Sequence, residues 1–292
     1  MRIVLFGKNG QLGWEFQRIL PILGEVIALG RSEVDVSDPH EIQKSLDELK
    51  PDLIINTSAY TDVDQAEKAS ELAMKINAIA PGVMAEAAHK TNAVFIHYST
   101  DYVFDGTSDI PYTELDRTNP LNIYGQSKLM GEENIKQVGD SYLILRTSWV
   151  YSLRGNSFVK KVLDWARRNE TLKVVSDQVG SPTWARMLAG ITSLMIAQNN
   201  SNLLETIREK SGVYHMAGSG YTSRYEWAKQ ILANDPNPIE QVVQSFESAL
   251  SKDFPTPATR PLFSALNCTH FEETFGLQLP AWDSALELAM KQ

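Results

Sequence analysis

The sequence predicts an α/β protein, a doubly wound parallel sheet followed by a smaller C-terminal lobe. Three observations carry this prediction. Short apolar runs rich in β-branched residues recur through the first half, stretches of helical patterning separate them, and a glycine-rich turn directly follows the first run. Beyond Tyr151 the alternation loses its rhythm. The expected division is therefore a sheet-forming part over residues 1–151 and a lobe built mainly from residues 152–292, with elements near 157–168 and 212–232 returning to the sheet.

Taken in order, Arg2 to Phe6, Val26 to Leu29, Leu53 to Asn56, Val94 to Tyr98 and Tyr142 to Arg146 each read as a strand buried on both faces, because each is a nearly continuous apolar run of strand length. The clearest helix start is Asp38-Pro39-His40-Glu41: a capping aspartate, proline at the first helical position and a glutamate that completes a capping box. Ser157 to Arg168 reads as a helix, Leu172 to Val175 as a strand, and Trp184 to Ala197 as a helix behind the turn Ser181-Pro182-Thr183. Gly212 to Met216 reads as a strand rejoining the main sheet, and a second capping box, Ser223 with Glu226, opens the helix that carries Trp227. The stretch from Phe254 to Pro261, with prolines at 255, 257 and 261, is too stiff for a helix or a central strand and is expected to drape over a surface or a ligand.

Composition narrows the function classes. The 292 residues carry a formal charge of −9, which argues against nonspecific binding to nucleic acid, since that needs clustered cations. A single cysteine, Cys268, excludes an internal disulfide and a thiolate metal cluster, and the five histidines lack metal-ligand spacing. No run approaches the roughly 20 apolar residues of a membrane span. The N-terminus enters its glycine turn without a signal-peptide pattern, so a cytoplasmic protein with no membrane partner is expected.

The turn Gly7-Lys8-Asn9-Gly10-Gln11-Leu12-Gly13 lies between a strand and a helix, where a dinucleotide-binding Rossmann fold needs it. Its glycines permit a tight turn and close backbone approach to a pyrophosphate at the helix N-terminus. The second strand ends at Ala28-Leu29-Gly30-Arg31-Ser32, and Arg31 with Ser32 would accept a 2′-phosphate. NADPH is the expected cofactor, with NADH the alternative. Asp35 and Val36 are placed to meet the adenine. Downstream, Tyr124 and Lys128 stand one helical turn apart on a shared face. A free phenol has a pKa near ~10, and an ammonium beside it lowers that value, so the pair suits proton transfer to a ketone oxygen. The segment His97 to Phe104 starts in the fourth strand and runs past its end; alternation turns only one of Ser99 and Thr100 to the cleft, and Thr100 is the expected carbonyl-binding hydroxyl.

The set Thr100, Tyr124, Lys128, joined to the glycine turn, resembles the extended short-chain dehydrogenase/reductases. The blocks SDQVGSPT at 176–183 and TPATRPLFSAL at 256–266 narrow the resemblance to the dTDP-4-dehydrorhamnose reductase family, and matching blocks span nearly the whole chain. The resemblance implies an NADPH-dependent reduction of the C4 ketone of dTDP-4-dehydro-6-deoxy-L-mannose to dTDP-L-rhamnose, with Tyr124 giving the proton. It also implies that Gly10, Gln11 and Leu12 touch the cofactor pyrophosphate, Asp35 and Val36 the adenine side, Ala59, Tyr60 and Thr61 the ribose or nicotinamide, and that Tyr98 is a further cofactor contact. Val63, Thr100, Asp101 and Trp149 match substrate contacts, while Gln178 and Arg260 lie in blocks expected near the nucleotide sugar. Some family members are described as magnesium-dependent dimers using two glutamates. Glu15 is present, but Arg186 stands where the second would sit, and a cation repels a metal ion, so no metal site is expected; a monomer and a homodimer both stay open. Two other readings remain: a noncatalytic NADP-binding regulatory subunit, and an epimerase acting on another nucleotide sugar.

Overall fold

All five apolar runs of the first half become strands of one parallel sheet: β1 (Arg2–Phe6), β2 (Glu25–Leu29), β3 (Leu53–Asn56), β4 (Val94–Thr100) and β5 (Tyr142–Thr147). The computed structural model describes residues 1–291. Gly212–His215 joins as a sixth strand on β5, giving the order β2, β1, β3, β4, β5, Gly212–His215 seen from the other edge. Period-2 alternation sends the two sets of side chains into separate cores. Ile3, Leu5, Ile55, Ile96 and Leu145 pack on one face with Leu188, Ile196 and Phe271; Val4, Phe6, Ile54, Phe95 and Ile144 pack on the other with Ile42, Leu46 and Met84. The chain crosses over β1 on its way from β2 to β3, so the winding reverses at β1 and β3 and a crevice opens at their carboxyl ends.

Several expectations need correction. Asp38 caps the helix Pro39–Leu49 by accepting from His40 N at 2.8 Å, but the capping box does not close: Glu41 Oε2 accepts instead from Asp35 N at 2.7 Å. The second box is likewise half made, with Ser223 accepting from Glu226 N at 3.1 Å while the Glu226 carboxylate takes Lys229. In both cases a nearer or charged donor outcompetes the cap's own N–H. Of the elements expected to return to the sheet, only Gly212–His215 does. The helix Phe158–Ala166 and the helix Arg224–Ala233 place Val159, Val162, Trp227 and Ile231 in a third core with Tyr151 and Leu286. The sheet's first face is covered instead by the helix Ala185–Gln198 and by Phe271 and Phe275 of the helix Thr269–Phe275. A strand not read from the sequence, Ser245–Ala249, pairs in parallel with Thr171–Val175; none of its residues is fully buried, so its Ser-Phe-Glu-Ser-Ala run carries no apolar pattern to read.

The proline-rich stretch drapes as expected, over protein. Ala258 N donates to Asp64 Oδ1 at 3.1 Å, and the Thr259 carbonyl accepts from Asn122 Nδ2 at 2.7 Å. Asn122 is also the N-cap of the helix Ile123–Lys136, accepting from Gly125 N at 2.8 Å. One side chain thus starts that helix and ties the strap across its end.

Candidate active site

A cavity of about 1070 Å³ opens along the carboxyl ends of β1 to β5, and most of the residues singled out from the sequence line it. At one end lies the glycine turn. Gly7 has φ +88°, and a Cβ there would come within 2.7 Å of Ser58 N, so the left-handed turn against the β3 loop needs glycine. Gly13 lies behind the cavity wall; a Cβ on it would sit 2.1 Å from the Gly7 carbonyl oxygen, so its absence lets the helix Gln11–Ile19 close onto the turn. Gly10, Gln11 and Leu12 face the cavity, and this helix starts without a side-chain cap, leaving its first N–H groups for an anion. Two buried polar atoms in the wall, Gln11 Oε1 and Thr147 Oγ1, have no hydrogen-bond partner. A helix terminus for phosphate and orphaned oxygens for hydroxyl or amide donors fit a dinucleotide.

Arg31, Asp35 and Val36 line the adenine-side expectation, whereas the Ser32 hydroxyl turns away to donate to Glu33. Glu33 went unread in the sequence. It accepts from Gly30 N and from Lys8 Nζ, both at 2.8 Å, and these bonds hold its carboxyl down at about 2. Ala59, Tyr60 and Thr61 follow β3 along the wall. Tyr98 lines it too, although its hydroxyl is paired with Thr192 Oγ1 at 2.6 Å, so its carbonyl rather than its phenol reaches Lys128.

Thr100, Tyr124 and Lys128 converge on the middle of the cavity. Alternation within the last residues of β4 separates the two hydroxyls: Ser99 donates to buried Glu132, while Thr100 lies beside the Tyr124 phenol. Tyr124 sits in the first turn behind Asn122, with its ring edge-on to Tyr102 at 5.6 Å. Lys128 Nζ donates to the Tyr98 carbonyl at 2.6 Å and lies 3.0 Å from His97 Nε2. Here the structure departs from the expectation that Lys128 holds the phenol pKa down. Burial pushes Tyr124 well up, offset in part by Thr100, and burial brings Lys128 down to about 7. The amine is occupied by His97 and Tyr98, and a desolvated ammonium is costly, so the tyrosine keeps its proton.

Comparison with known proteins shows the family. A family model described as the RmlD substrate binding domain matches residues 1–292. A dTDP-4-dehydrorhamnose reductase from Burkholderia thailandensis is 40% identical, the match covering 100% of this chain and 98% of the relative. The chain belongs to the dTDP-4-dehydrorhamnose reductase family. A crystal structure of such a reductase from Clostridium acetobutylicum superposes with a TM-score of 0.90 at 36% identity, covering 100% of this chain and 99% of that one. Another, from Bacillus anthracis in complex with NADP, gives 0.89 at 34% identity over 99% and 98% of the two chains.

In this member of the dTDP-4-dehydrorhamnose reductase family, the residues expected on the substrate side divide. Val63, Asp101 and Trp149 line the cavity with Thr100. The Asp101 carboxylate is buried, accepts from Ser264 at 2.6 Å and Ser148 at 2.9 Å, and is pushed up by burial. Trp149 holds φ +44°, a strained backbone for an aromatic residue, and Gly180 makes room for it: a Cβ there would meet the indole at 2.5 Å. Gln178 and Arg260 stand outside the wall. Gln178 Nε2 donates to Ser251 Oγ at 3.0 Å, and Arg260 forms a two-pronged ion pair with Asp64 at 2.7 and 3.1 Å. Sequence reading missed Tyr102, Arg154, Asn156 and Arg224, all of which line the cavity. Arg224 lies 3.7 Å over the Trp149 ring and has no side-chain hydrogen-bond acceptor among the described residues; burial pushes it down to about 10. One signal was available. Arg224 opens a helix directly behind its capping serine, where a cation opposes the helix dipole.

Glu15 is paired with Arg186 at 3.1 Å, so the arginine expected to repel a metal occupies the carboxylate itself. Among the described residues of the single chain, no group of three His, Cys, Asp or Glu could hold a metal ion. No helix of the described residues is long and apolar enough to cross a membrane.

Proposed function

We propose that this chain reduces the C4 ketone of dTDP-4-dehydro-6-deoxy-L-mannose to dTDP-L-rhamnose with NADPH, and that Tyr124 supplies the proton. The observation that carries this reading is the convergence of Thr100, Tyr124 and Lys128 in one cavity with the Gly7-to-Gly13 turn at its far end. The names of the relatives support the sugar nucleotide, and the Bacillus anthracis complex supports the cofactor. When bound, the nicotinamide supplies the hydride that forms the new C4–H bond. The Thr100 hydroxyl orients the ketone oxygen, and the Tyr124 proton moves to that oxygen as it gains charge, leaving a phenolate that recovers its proton from solvent. The raised phenol value serves this order of events, since the proton stays on Tyr124 until the oxygen becomes the stronger base.

Lys128 is placed to hold the ribose, and Arg31 to meet a 2′-phosphate. Val63, Asp101 and Trp149 bound the sugar, and Arg224, a cation without a protein acceptor, takes the diphosphate. Gln178 and Arg260 act one step removed, through Ser251 and the strap on Asp64. The test is NADPH consumption with the 4-keto sugar made in situ from dTDP-glucose, run beside NADH and in the presence of EDTA. Wild-type turnover with NADPH, indifference to EDTA, and a loss of about 10²- to 10⁴-fold in Tyr124→Phe are expected. A Tyr124→Phe enzyme as fast as wild type at saturating cofactor would remove the tyrosine from the chemistry, and loss of turnover in EDTA would restore a metal.

A further inference from the structure

The buried chain beneath Lys128 has a direction that its donors and acceptors fix. Asn56, at the end of β3, and His97, in β4, are 0% and 1% exposed, so no solvent relieves a mismatched contact between them. Backbone N–H groups only donate, and Ser58 N lies 3.0 Å from Asn56 Oδ1, with the Ser58 hydroxyl on the same oxygen. That settles which end of the Asn56 amide faces His97. Its Nδ2 points at His97 Nδ1 across 3.1 Å and donates to it. An imidazole that accepts at Nδ1 carries its proton on Nε2. Nε2 is 3.0 Å from Lys128 Nζ, so Nζ has to accept, which an ammonium with three N–H bonds and no lone pair is unable to do. An imidazolium is no way out, because its Nδ1–H would meet the Asn56 amide hydrogens.

We propose that His97 is a positioning residue that holds Lys128 as a neutral amine in the free protein, and that Asn56 locks the imidazole in the tautomer this requires. The amine's remaining bonds then have fixed uses: one N–H donates to the Tyr98 carbonyl at 2.6 Å, and the other is left for the cavity. Desolvation acts in the same direction, bringing Lys128 to about 7 and His97 well below its ordinary value. Other titratable groups share this space. Glu132, on the same helix, favours the ammonium, but it is bridged to Arg146 of β5 at 2.7 and 2.9 Å and takes the Ser99 hydroxyl of β4. Tyr98, Asp101 and Tyr102 come from β4 and the turn after it, Tyr124 from the helix itself, Tyr60 from the β3 loop and Arg224 from the lobe. The charged form of Lys128, the one able to stabilise a Tyr124 phenolate, is therefore gained only as pH falls through the lysine's lowered value and is lost as pH rises past it. This consequence for turnover rests on the proposed function; the tautomer does not.

The decisive experiment is NMR of the cofactor-free wild-type protein carrying 15N-histidine and 13C-lysine. We expect His97 as the neutral Nε2–H tautomer and a Lys128 midpoint well below that of the exposed lysines. Asn56→Asp puts an acceptor against Nδ1, reverses the tautomer and makes Nε2 an acceptor. The Lys128 midpoint should then rise by about one unit or more, a tenfold gain in proton affinity, and the basic limb of the pH–rate profile should move up with it. His97→Gln, whose amide can turn to accept, provides a second variant with the same direction of shift. An Nδ1–H tautomer or an imidazolium in the wild type, or an unmoved lysine midpoint in folded Asn56→Asp, overturns the proposal. Absence of NADPH turnover with the expected tautomer in place would sink the functional reading and leave this one standing.

Discussion

Tyr124 and Lys128 lie one helical turn apart, yet in the folded protein they answer to different neighbours. The phenol looks to Thr100 and the amine to His97 and Tyr98. Spacing showed that the two could share a face, and only the packing of β3 against β4 revealed what stands beneath the lysine. Arg224 follows the same rule in the same cavity, where its guanidinium stacks on Trp149 and finds no acceptor among the described residues. Replacing it with methionine keeps much of the apolar contact and removes the charge. A charged hydrogen bond contributes about 1.5–3 kcal/mol, so Arg224→Met should raise KM for the sugar nucleotide by roughly 10- to 150-fold, with KM for NADPH unchanged. Steady-state kinetics with each substrate varied in turn decides it; an effect confined to NADPH would move Arg224 to the cofactor side.

At the scale of elements, the helix Ile123–Lys136 and the proline strap behave as one unit through Asn122. The cap bond to Gly125 N fixes the first turn, on which Tyr124 rides, while the bond to the Thr259 carbonyl holds the strap. Loss of an N-cap costs about 1 kcal/mol, and loss of the hydrogen bond to the exposed Thr259 carbonyl adds about 0.5–1.5 kcal/mol. Asn122→Ala should thus lower the unfolding free energy by about 1.5–2.5 kcal/mol in urea denaturation and depress kcat, because the first turn frays where the proposed proton donor sits. A variant with wild-type stability and rate would show that the strap is held elsewhere. The sequence announced the strap through its prolines but not its landing place, since the bond between residues 122 and 259 joins distant parts of the chain.

For the molecule as a whole, acidity is the natural stress. His97 and His215 are both buried, and burial is the first cause of their lowered values, with His215 brought down to about 3. A histidine whose folded value lies below its unfolded value of about 6.5 binds more protons when unfolded, so stability is full above that pH and falls as the solution is acidified. His215 contributes a loss of about 1.4 kcal/mol per pH unit, or about 2 kcal/mol by pH 5, and His97 acts in the same direction. Asp101, raised by burial, opposes this in part, because the penalty of its buried charge disappears on protonation. Urea denaturation at pH 7 and pH 5 should therefore give an unfolding free energy lower by at least about 2 kcal/mol at the acid value; equal stabilities would mean that neither histidine is buried neutral.

What the sequence determined by itself is the sheet, the glycine turn and the pairing of Tyr124 with Lys128 on one helical turn. Each is written locally: continuous apolar runs of strand length, three-residue glycine intervals from Gly7 to Gly13, and a four-residue step from Tyr124 to Lys128. Tertiary structure alone decided which helices cover the sheet, since the local patterning of Phe158–Ala166 and of Ala185–Gln198 marks each as a helix without naming the surface it will meet. It likewise took Gln178 and Arg260 out of the cavity wall, brought Arg224 in, and set the polarity of the contact between His97 and Lys128. The reason is physical. Hydrogen-bond direction and charge state depend on every neighbour within a few ångströms, and in this fold those neighbours come from β3, β4, the helix Ile123–Lys136 and the C-terminal lobe.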